Sequence, residues 1–299
     1  MLVAACDRSH REAPPPPKPA QPPSHQAATA CTLAPIPAKV PGDPKRIVAI
    51  GDLHGDLAAT RAALRTAGAI DEKDAWIGGD LVIVQTGDVL DRGDDESKIF
   101  ELLDRLAEEA AKAGGAVIYT LGNHELMNAA HDYRYVTPGG MRDFAGDREH
   151  AVEAGGPWAK RFARHNVIAI VGDTVFSHAG VLPDWVTHVD DTNLAARCWL
   201  DGQDPEPPAA LVKDDSPVWN RDYGIPDKVD CAQLTDVLTK LGAKRMVVGH
   251  TVQQSGITSA CDGQLWRIDV GLAKLYDGPI QVLEISSAGA KPLTGSRLP

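Results

Sequence analysis

The 299-residue chain is predicted to adopt an α/β fold behind an irregular N-terminal extension, and three observations support this prediction. From residue 45 onward, short runs rich in Val and Ile alternate with segments of helical periodicity, as in βαβ units. Several of these runs are apolar throughout, which is typical of strands buried on both faces. Half of the 22 prolines fall in the first 44 residues, and residues 12–44 hold almost no large apolar side chains. Such a segment cannot bury enough surface to offset the entropy of folding.

Eight strands and three helices are expected in the body of the chain. The strands are expected at 46–50, 81–85, 116–121, 167–171, 174–177, 245–248, 264–270 and 279–285. Asp56 can cap a first helix that runs to Ala67, and Ser97 can cap a second whose apolar residues recur at helical spacing until Gly114. A third helix is expected at 231–241, directly before Gly242, a residue typical of helix ends.

Charge and hydropathy exclude two classes of protein. The first 44 residues carry a formal charge of +1 and the remaining 255 carry −12. The body therefore lacks the broad positive face that nucleic-acid binding requires, and we expect no nucleic-acid partner. No run reaches the ~18 to 20 apolar residues that a membrane helix needs.

The first residues contain a short pattern of their own. Leu2-Val3-Ala4-Ala5-Cys6 resembles the lipobox of bacterial lipoproteins, in which the cysteine is lipidated, and the proline-rich residues behind it have the composition of a tether. Only five residues precede Cys6, fewer than a signal peptide needs, so the pattern is either a truncated lipoprotein signal or a chance match. The expected location is the bacterial periplasm, with a lipid anchor on Cys6, and the alternative is a cytoplasmic protein.

Four further cysteines are distributed along the chain without the spacing of a metal site. They are Cys31, Cys198, Cys231 and Cys261. Their even number permits disulfides in an oxidising compartment, and buried free thiols are equally compatible with the sequence.

Polar residues flanked by glycine follow five of the predicted strands. The motifs are GDLHG at 51–55, GDVLDRG at 87–93, GNHE at 122–125, SHAG at 177–180 and GH at 249–250. Because the carboxyl ends of strands in an α/β sheet converge on one crevice, these side chains are expected to meet there. The candidate metal ligands are Asp52, His54, Asp88, Asn123, His178 and His250.

This set of ligands predicts two metal ions. Nitrogen and oxygen donors without thiolates suit Mn, Fe or Zn. Two carboxylates and three imidazoles are too many for one mononuclear site with open positions. They suit two ions ~3.5 to 4 Å apart that share one carboxylate, as in hydrolytic two-metal sites.

Similar residues elsewhere are interpreted as structural. Asp80, Asp147 and Asp173 also follow glycine, but they are assigned to turns. His131, His150, His165 and His188 do not follow strands and are expected to be solvent-exposed or structural. Asn128 stands where the zinc-protease motif HExxH would need its second histidine.

The order of GDLHG, GDVLDRG, GNHE, SHAG and VGH resembles the metallophosphoesterases, specifically the phosphoprotein phosphatase (PPP) family. GNHELMN, DYRYVTP, VGDTVFSHAG, PVWNRDY, RMVVGHTVQ and WRIDVGL look like the bacterial and Shewanella-like protein phosphatases, and the likeness covers most of residues 46–285. It implies a four-layer αββα sandwich with a disordered N-terminal extension. Residues 1–44 would be the signal and tether, 45–285 the catalytic domain and 286–299 a C-terminal tail.

The resemblance also implies roles for individual residues. Asp52 and His54 would bind the first ion, Asp88 would bridge, and Asn123, His178 and His250 would bind the second. His124 would be the general acid that protonates the leaving oxygen, Asp91 would orient it, and Arg92 and Arg221 would hold the phosphoryl oxygens.

The expected reaction is hydrolysis of phosphomonoesters in phosphorylated proteins or peptides. A hydroxide held between two divalent ions (Mn, Fe or Zn) would be the nucleophile, so that no covalent phosphoenzyme is needed. One alternative is a dinucleoside polyphosphate hydrolase or phosphodiesterase on the same scaffold. Another is a catalytically inactive metal-binding domain.

Overall fold

Two mixed β-sheets form the centre of the computed structural model, which describes residues 31–298. The strands are β1 (Lys39–Val40), β2 (Arg46–Ile50), β3 (Val82–Gln85), β4 (Ala116–Tyr119), β5 (Ile168–Val171), β6 (Thr174–Ser177), β7 (Arg245–Val248), β8 (Thr258–Ala260), β9 (Leu265–Arg267), β10 (Gln281–Ser286) and β11 (Gly289–Thr294). One sheet has the order β1-β5-β6-β7-β9-β8, and the other has the order β11-β10-β2-β3-β4.

Seven α-helices accompany the sheets within residues 31–298. They are α1 (Leu57–Thr66), α2 (Glu96–Lys112), α3 (Asn123–Ala129), α4 (Arg148–Val152), α5 (Pro157–Phe162), α6 (Val189–Leu200) and α7 (Cys231–Leu241). None of these helices combines the length and the apolar content that a membrane span requires.

The two sheets pack face to face, with the helices outside. Side chains alternate between the faces of a strand. In β2, Ile47 and Ala49 face the other sheet, whereas Val48 and Ile50 join the larger apolar cluster that contains the helices. The cluster between the sheets consists of Ile47, Ala49, Val82, Val84, Val171, Phe176, Val247, Ile268, Leu283 and Ile285. This arrangement confirms the predicted αββα sandwich.

The helix ends follow the predicted capping signals in two of three cases. The Asp56 carboxylate accepts a hydrogen bond from the amide of Ala59 at the start of α1, and α7 ends before Gly242, which is left-handed with φ 64°. Ser97 is not the cap of α2, which begins one residue earlier, at Glu96. Asp95 occupies the cap position, and Ser97 lies in the first turn of the helix, where its amide donates to the Asp143 carboxylate, 2.8 Å away.

Two segments predicted to be irregular contain strands. Residues 286–299 were assigned to a tail, but β11 pairs antiparallel with β10 there. Residues 31–44 were assigned to the tether, but β1 pairs parallel with β5, and the amide of Ala38 donates to the Asp190 carboxylate at 2.9 Å. Both strands lie at sheet edges and contain few large apolar residues, so their hydropathy gave no strand signal. Cys6 and the rest of residues 1–30 lie outside the described residues.

All four cysteines among the described residues form disulfides. Cys31 pairs with Cys198 of α6, and Cys231 at the start of α7 pairs with Cys261, just after β8. The Cα atoms of the two pairs lie 5.9 and 5.3 Å apart, within the usual range for a disulfide. The first bridge ties the N-terminal segment to the body of the fold.

His165 is structural, as predicted, and its burial makes stability depend on pH. Its ring stacks on Tyr119 with the centroids 3.5 Å apart, and burial lowers its pKa to about 3. Between pH ~6.5 and ~3 the unfolded chain therefore binds a proton that the folded chain does not, so the free energy of unfolding falls as pH falls. We expect His165→Phe to reduce the slope of the unfolding free energy against pH by up to about 1.4 kcal/mol per pH unit. Chemical denaturation at several pH values between 4 and 7 measures this slope, and identical slopes in variant and parent would contradict the prediction.

Candidate active site

The predicted site residues meet where five strands end. Asp52 follows β2, Asp88 follows β3, Asn123 opens α3 after β4, His178 follows β6 and His250 follows β7. Strands β2, β3 and β4 run parallel in one sheet, and β6 and β7 run parallel in the other. Their carboxyl ends open on one crevice between the sheets, as expected for this class of fold. Four of these residues are buried, and His250 is partly buried.

Three imidazoles converge on the carboxylate of Asp88. Its Oδ2 lies 3.2 Å from His178 Nε2, 3.7 Å from His124 Nε2 and 3.8 Å from His54 Nε2. Two groups of possible metal ligands result. One consists of His54, Asp88 and His124, and the other consists of Asp88, His178 and His250. Asp88 belongs to both groups, so one carboxylate lies between two positions suited to a cation.

The other two predicted ligands lie beside these groups. Asn123 Oδ1 is 2.9 Å from His178 Nε2, which is 3.1 Å from His250 Nδ1. Asp52 Oδ2 is 3.9 Å from His54 Nε2. The structure therefore brings together all six predicted ligands, with Asp52 on the His54 side and Asn123 on the His178 side.

Hydrogen bonds to the backbone orient each imidazole. Nδ1 of His54 donates to the Leu90 carbonyl at 2.9 Å, and Nδ1 of His178 donates to the Thr86 carbonyl at 2.9 Å. In His250 the roles of the nitrogens are reversed, because Nε2 donates to the Trp219 carbonyl at 3.2 Å. In each ring the other nitrogen then faces the cluster, which is how metal-binding histidines are held. The donor set fits two divalent ions.

The loop that carries Asp88 is held by a buried carboxylate. Glu125 accepts hydrogen bonds of 2.8 to 3.1 Å from the amides of Asp88, Val89, Leu90 and Gly122. A side chain at Gly122 would overlap the Asp88 carboxylate, so this position requires glycine.

Left-handed backbone recurs at the site. Its five non-glycine residues with φ between 44° and 70° are His54, Asp88, Asp91, Arg92 and His250. Such conformations persist where the surrounding structure holds them, commonly at functional sites.

The charges at the site favour a cation. Burial raises the pKa of Asp52, and so does the nearby Asp269 carboxylate. Burial also disfavours charge on Asp88, but His178 and His124 hold its pKa well below the usual range. Burial lowers the pKa of His178, but Asp88 and Asp52 outweigh that effect and raise it to about 10. Two carboxylates are thus buried with one proton-binding imidazole, and added positive charge would stabilise them.

His124 and the two arginines occupy the rim of the cluster. Nδ1 of His124 bonds to the Asp91 carboxylate, which leaves Nε2 facing the cluster. Arg92 contacts Nε2 of His54, and Arg221 donates to Thr251 Oγ1 at 3.1 Å and to the His250 carbonyl at 3.4 Å. One guanidinium therefore lies at each side of the cluster, as two arginines that hold one phosphoryl group would.

Several residues around the site were not predicted. Arg148, Glu96 and Asn128 form a buried network with Asp91, and Tyr135 and Tyr276 flank Arg92. Asn128 and Tyr135 lie inside the motifs GNHELMN and DYRYVTP. Arg148 and Glu96 carried no signal in the sequence, because they reach the site only through tertiary contacts.

Comparison with known proteins shows the family of the chain. A family model described as calcineurin-like phosphoesterase matches residues 45–254. The chain is 37% identical to Shewanella-like protein phosphatase 2 of Arabidopsis thaliana, over 85% of this chain and 79% of that protein. It is 33% identical to Shewanella-like protein phosphatase 1 of Plasmodium berghei, over 76% of this chain and 67% of that protein. The solved cold-active protein-tyrosine phosphatase of a psychrophile Shewanella species has the same fold, with a TM-score of 0.74 and 23% sequence identity. The match covers 87% of this chain and 83% of that protein.

The chain therefore belongs to the calcineurin-like metallophosphoesterases, in the phosphoprotein phosphatase family. Among the members of that family, it is similar to the Shewanella-like protein phosphatases.

Proposed function

We propose that the chain is a metal-dependent phosphatase that hydrolyses phosphotyrosine in proteins, with two ions of Mn, Fe or Zn. The observation that carries the proposal is the pair of ligand groups sharing Asp88, with the His124–Asp91 pair beside them. His54 and Asp52 would hold one ion, and His178, His250 and Asn123 would hold the other. Nitrogen and oxygen donors of this kind suit these metals. The relatives named above as protein phosphatases support a phosphoprotein substrate.

The chain's own residues perform three tasks in the reaction. When bound, the ions supply Lewis-acid chemistry, by which a water is activated for attack and phosphoryl charge is offset. Arg92 and Arg221 hold the phosphoryl oxygens and offset the charge that develops on them. His124 holds a proton at Nε2 and gives it to the leaving oxygen, while the Asp91 carboxylate keeps the ring oriented through Nδ1.

Two tyrosines support an aromatic substrate. The guanidinium carbon of Arg92 lies 5.1 Å from the ring centroid of Tyr135 and 5.4 Å from that of Tyr276. The Tyr135 ring is 5.2 Å from His124, and the Tyr276 ring is 6.0 Å from His54. They are 43% and 38% exposed, respectively. Two accessible rings beside the phosphoryl-binding arginine offer edges and faces on which a phosphotyrosine ring packs.

An open cavity lies beside the arginine that these tyrosines flank. A cavity of about 630 Å³ opens beside His54 and Arg92, and Arg142 and Lys274 also line it. Its lining has mixed charge, because the carboxylates of Asp56, Asp94 and Asp95 lie there as well as these two exposed cations. An open cavity of this size supports a peptide substrate over a small isolated phosphate ester.

The preference for phosphotyrosine is tested by removing the rings. We expect Tyr135→Ala and Tyr276→Ala each to lower kcat/KM for a phosphotyrosine peptide by roughly 2- to 12-fold, since an aromatic pair contributes about 0.5–1.5 kcal/mol. For the phosphoserine peptide of the same sequence, we expect less than about a twofold change. Initial rates on the two peptides and on diadenosine tetraphosphate measure this.

Tyr133→Ala is the matched control. Tyr133 lies two residues before Tyr135, but its ring packs on His131 rather than beside Arg92. Equal losses on both peptides would contradict the aromatic contact. Faster turnover of diadenosine tetraphosphate than of either peptide would contradict a protein phosphatase.

We also propose that the chain works in an oxidising compartment such as the bacterial periplasm. The two disulfides support this location, because disulfides persist in oxidising compartments and are rare in the cytoplasm. A lipid on Cys6 remains part of the same proposal.

A further inference from the structure

A buried arginine lies behind the His124–Asp91 pair. Arg148, the first residue of α4, is 1% exposed and is ion-paired with Glu96 of α2. Its Nη2 also donates to Asp91 Oδ1 at 3.1 Å. Nε and Nη2 donate to Asn128 Oδ1 at 3.0 and 2.8 Å. One guanidinium therefore joins α2, α3 and α4 to the carboxylate that contacts the catalytic imidazole.

The Asp91 carboxylate is held on every side. One oxygen, Oδ2, bonds to Nδ1 of His124. The other, Oδ1, accepts from Arg148 and from Asn128 Nδ2 at 2.9 Å. The backbone amide of Asp91 donates to Glu96, the carboxylate that also anchors Arg148. The side chain and the backbone of Asp91 are thus fixed by the same cluster, at a residue whose φ is +70°.

Only an arginine can make this set of contacts. A guanidinium presents several donors in one plane, so it can bond to two carboxylates and an amide oxygen at once. A lysine ammonium has a single donor atom and cannot reach all three partners. Burying this cation is costly unless its partners are well placed. Such a cluster therefore fixes Asp91 more tightly than a solvent-exposed aspartate would be fixed.

We propose that Arg148 is a positioning residue for protonation of the leaving group, acting through Asp91 on His124. The inference rests on the acid role of His124 in the proposed function. Among the described residues, the Arg148 guanidinium donates to Asp91, Glu96, Asn128 and the Gly140 carbonyl, and to none of the predicted metal ligands. Its effect is to hold the imidazole where Nε2 meets the leaving oxygen, because small displacements of a catalytic group cost large factors in rate.

Arg148→Lys in the full chain, loaded with Mn, tests the proposal on two aryl phosphates. Phenyl phosphate has a poor leaving group that needs the acid, and 2,4-dinitrophenyl phosphate has a good one that does not. We expect kcat to fall roughly 10- to 100-fold on phenyl phosphate and less than about 3-fold on 2,4-dinitrophenyl phosphate. Arg197→Lys is the matched control, since Arg197 is also buried but, within residues 31–298, it donates to the carbonyls of Ala163 and Ala34 and to no residue of the site. It should leave both rates within about twofold.

Introducing Arg148→Lys into a His124→Asn background separates positioning from a general structural role. Because Arg148 acts through His124, the second change should lower phenyl phosphate turnover by less than about twofold. Equal losses on the two substrates, or a full further loss in the His124→Asn background, would overturn the proposal. If His124→Asn itself leaves phenyl phosphate turnover unchanged, the acid role fails and the proposal fails with it.

Glu96→Gln provides a second variant if Arg148→Lys does not unfold cooperatively. It keeps the shape of the side chain while removing the charge that anchors Arg148. We expect the same dependence on the leaving group with a smaller loss on phenyl phosphate. An equal change on both substrates would overturn the proposal through this variant as well.

Discussion

Asp88→Asn is expected to abolish most of the activity by weakening both metal positions together. The Asp88 carboxylate belongs to both groups of ligands and lies 3.2 Å from His178 and 3.8 Å from His54. An amide of the same shape removes the shared negative charge and leaves both groups in place. Metal ions contribute several kcal/mol to a hydrolytic transition state, so we expect kcat to fall about 10³-fold or more. The measurement is turnover of a phosphotyrosine peptide together with metal content by elemental analysis.

The fold should survive this change. Asparagine keeps the shape of the side chain, so the metal-free variant should still unfold cooperatively, although it loses the pairing of Asp88 with His178 and its thermal midpoint should be lower. Asp80→Asn is the matched control, because Asp80 also follows a glycine but is exposed and precedes β3. It should retain full activity. Loss of one ion with the other bound at normal affinity would contradict a shared carboxylate.

His124→Asn is expected to lower turnover by roughly 10²- to 10⁴-fold while metal content stays near normal. The ring is fixed by Asp91 and directs Nε2 toward the cluster, 3.7 Å from Asp88 Oδ2. Asparagine cannot deliver a proton to the leaving oxygen. Since good leaving groups need no acid, the loss should be smaller on 2,4-dinitrophenyl phosphate than on phenyl phosphate. Steady-state kinetics and elemental analysis on the same preparation measure both effects.

The control for this variant is His131→Asn, seven residues further along. His131 is exposed and belongs to neither group of possible ligands. Its turnover should match that of the parent chain. His124 also belongs to one geometric group of possible metal ligands, so the metal content decides its role. Loss of an ion in His124→Asn would make it a ligand, and an unchanged rate would remove it from the reaction.

The sequence could predict which side chains lie together because they follow the ends of strands. Asp52 and Asp88 follow β2 and β3 and reach the crevice. Asp80 and Asp173 also follow glycine, but they lie in turns that precede β3 and β6. The same dipeptide therefore has different roles at the two ends of a strand, and the motif context distinguished them.

The parts that the sequence did not predict depend on contacts between distant segments. Arg148 reaches Asp91 across 57 positions, and no local pattern marks an arginine for burial. β1 and β11 are edge strands ordered by backbone pairing, which leaves little trace in hydropathy. The pairing of Cys31 with Cys198 joins residues 167 positions apart, so spacing alone could not reveal it.

The ion content of the parent chain and of Asp88→Asn, measured side by side with turnover, tests the central claim most directly. We expect about two transition-metal ions per active parent chain, and loss of both ions and of activity together in the variant. A parent chain that is fully active without metal, or a variant that keeps two ions and full activity, would contradict it.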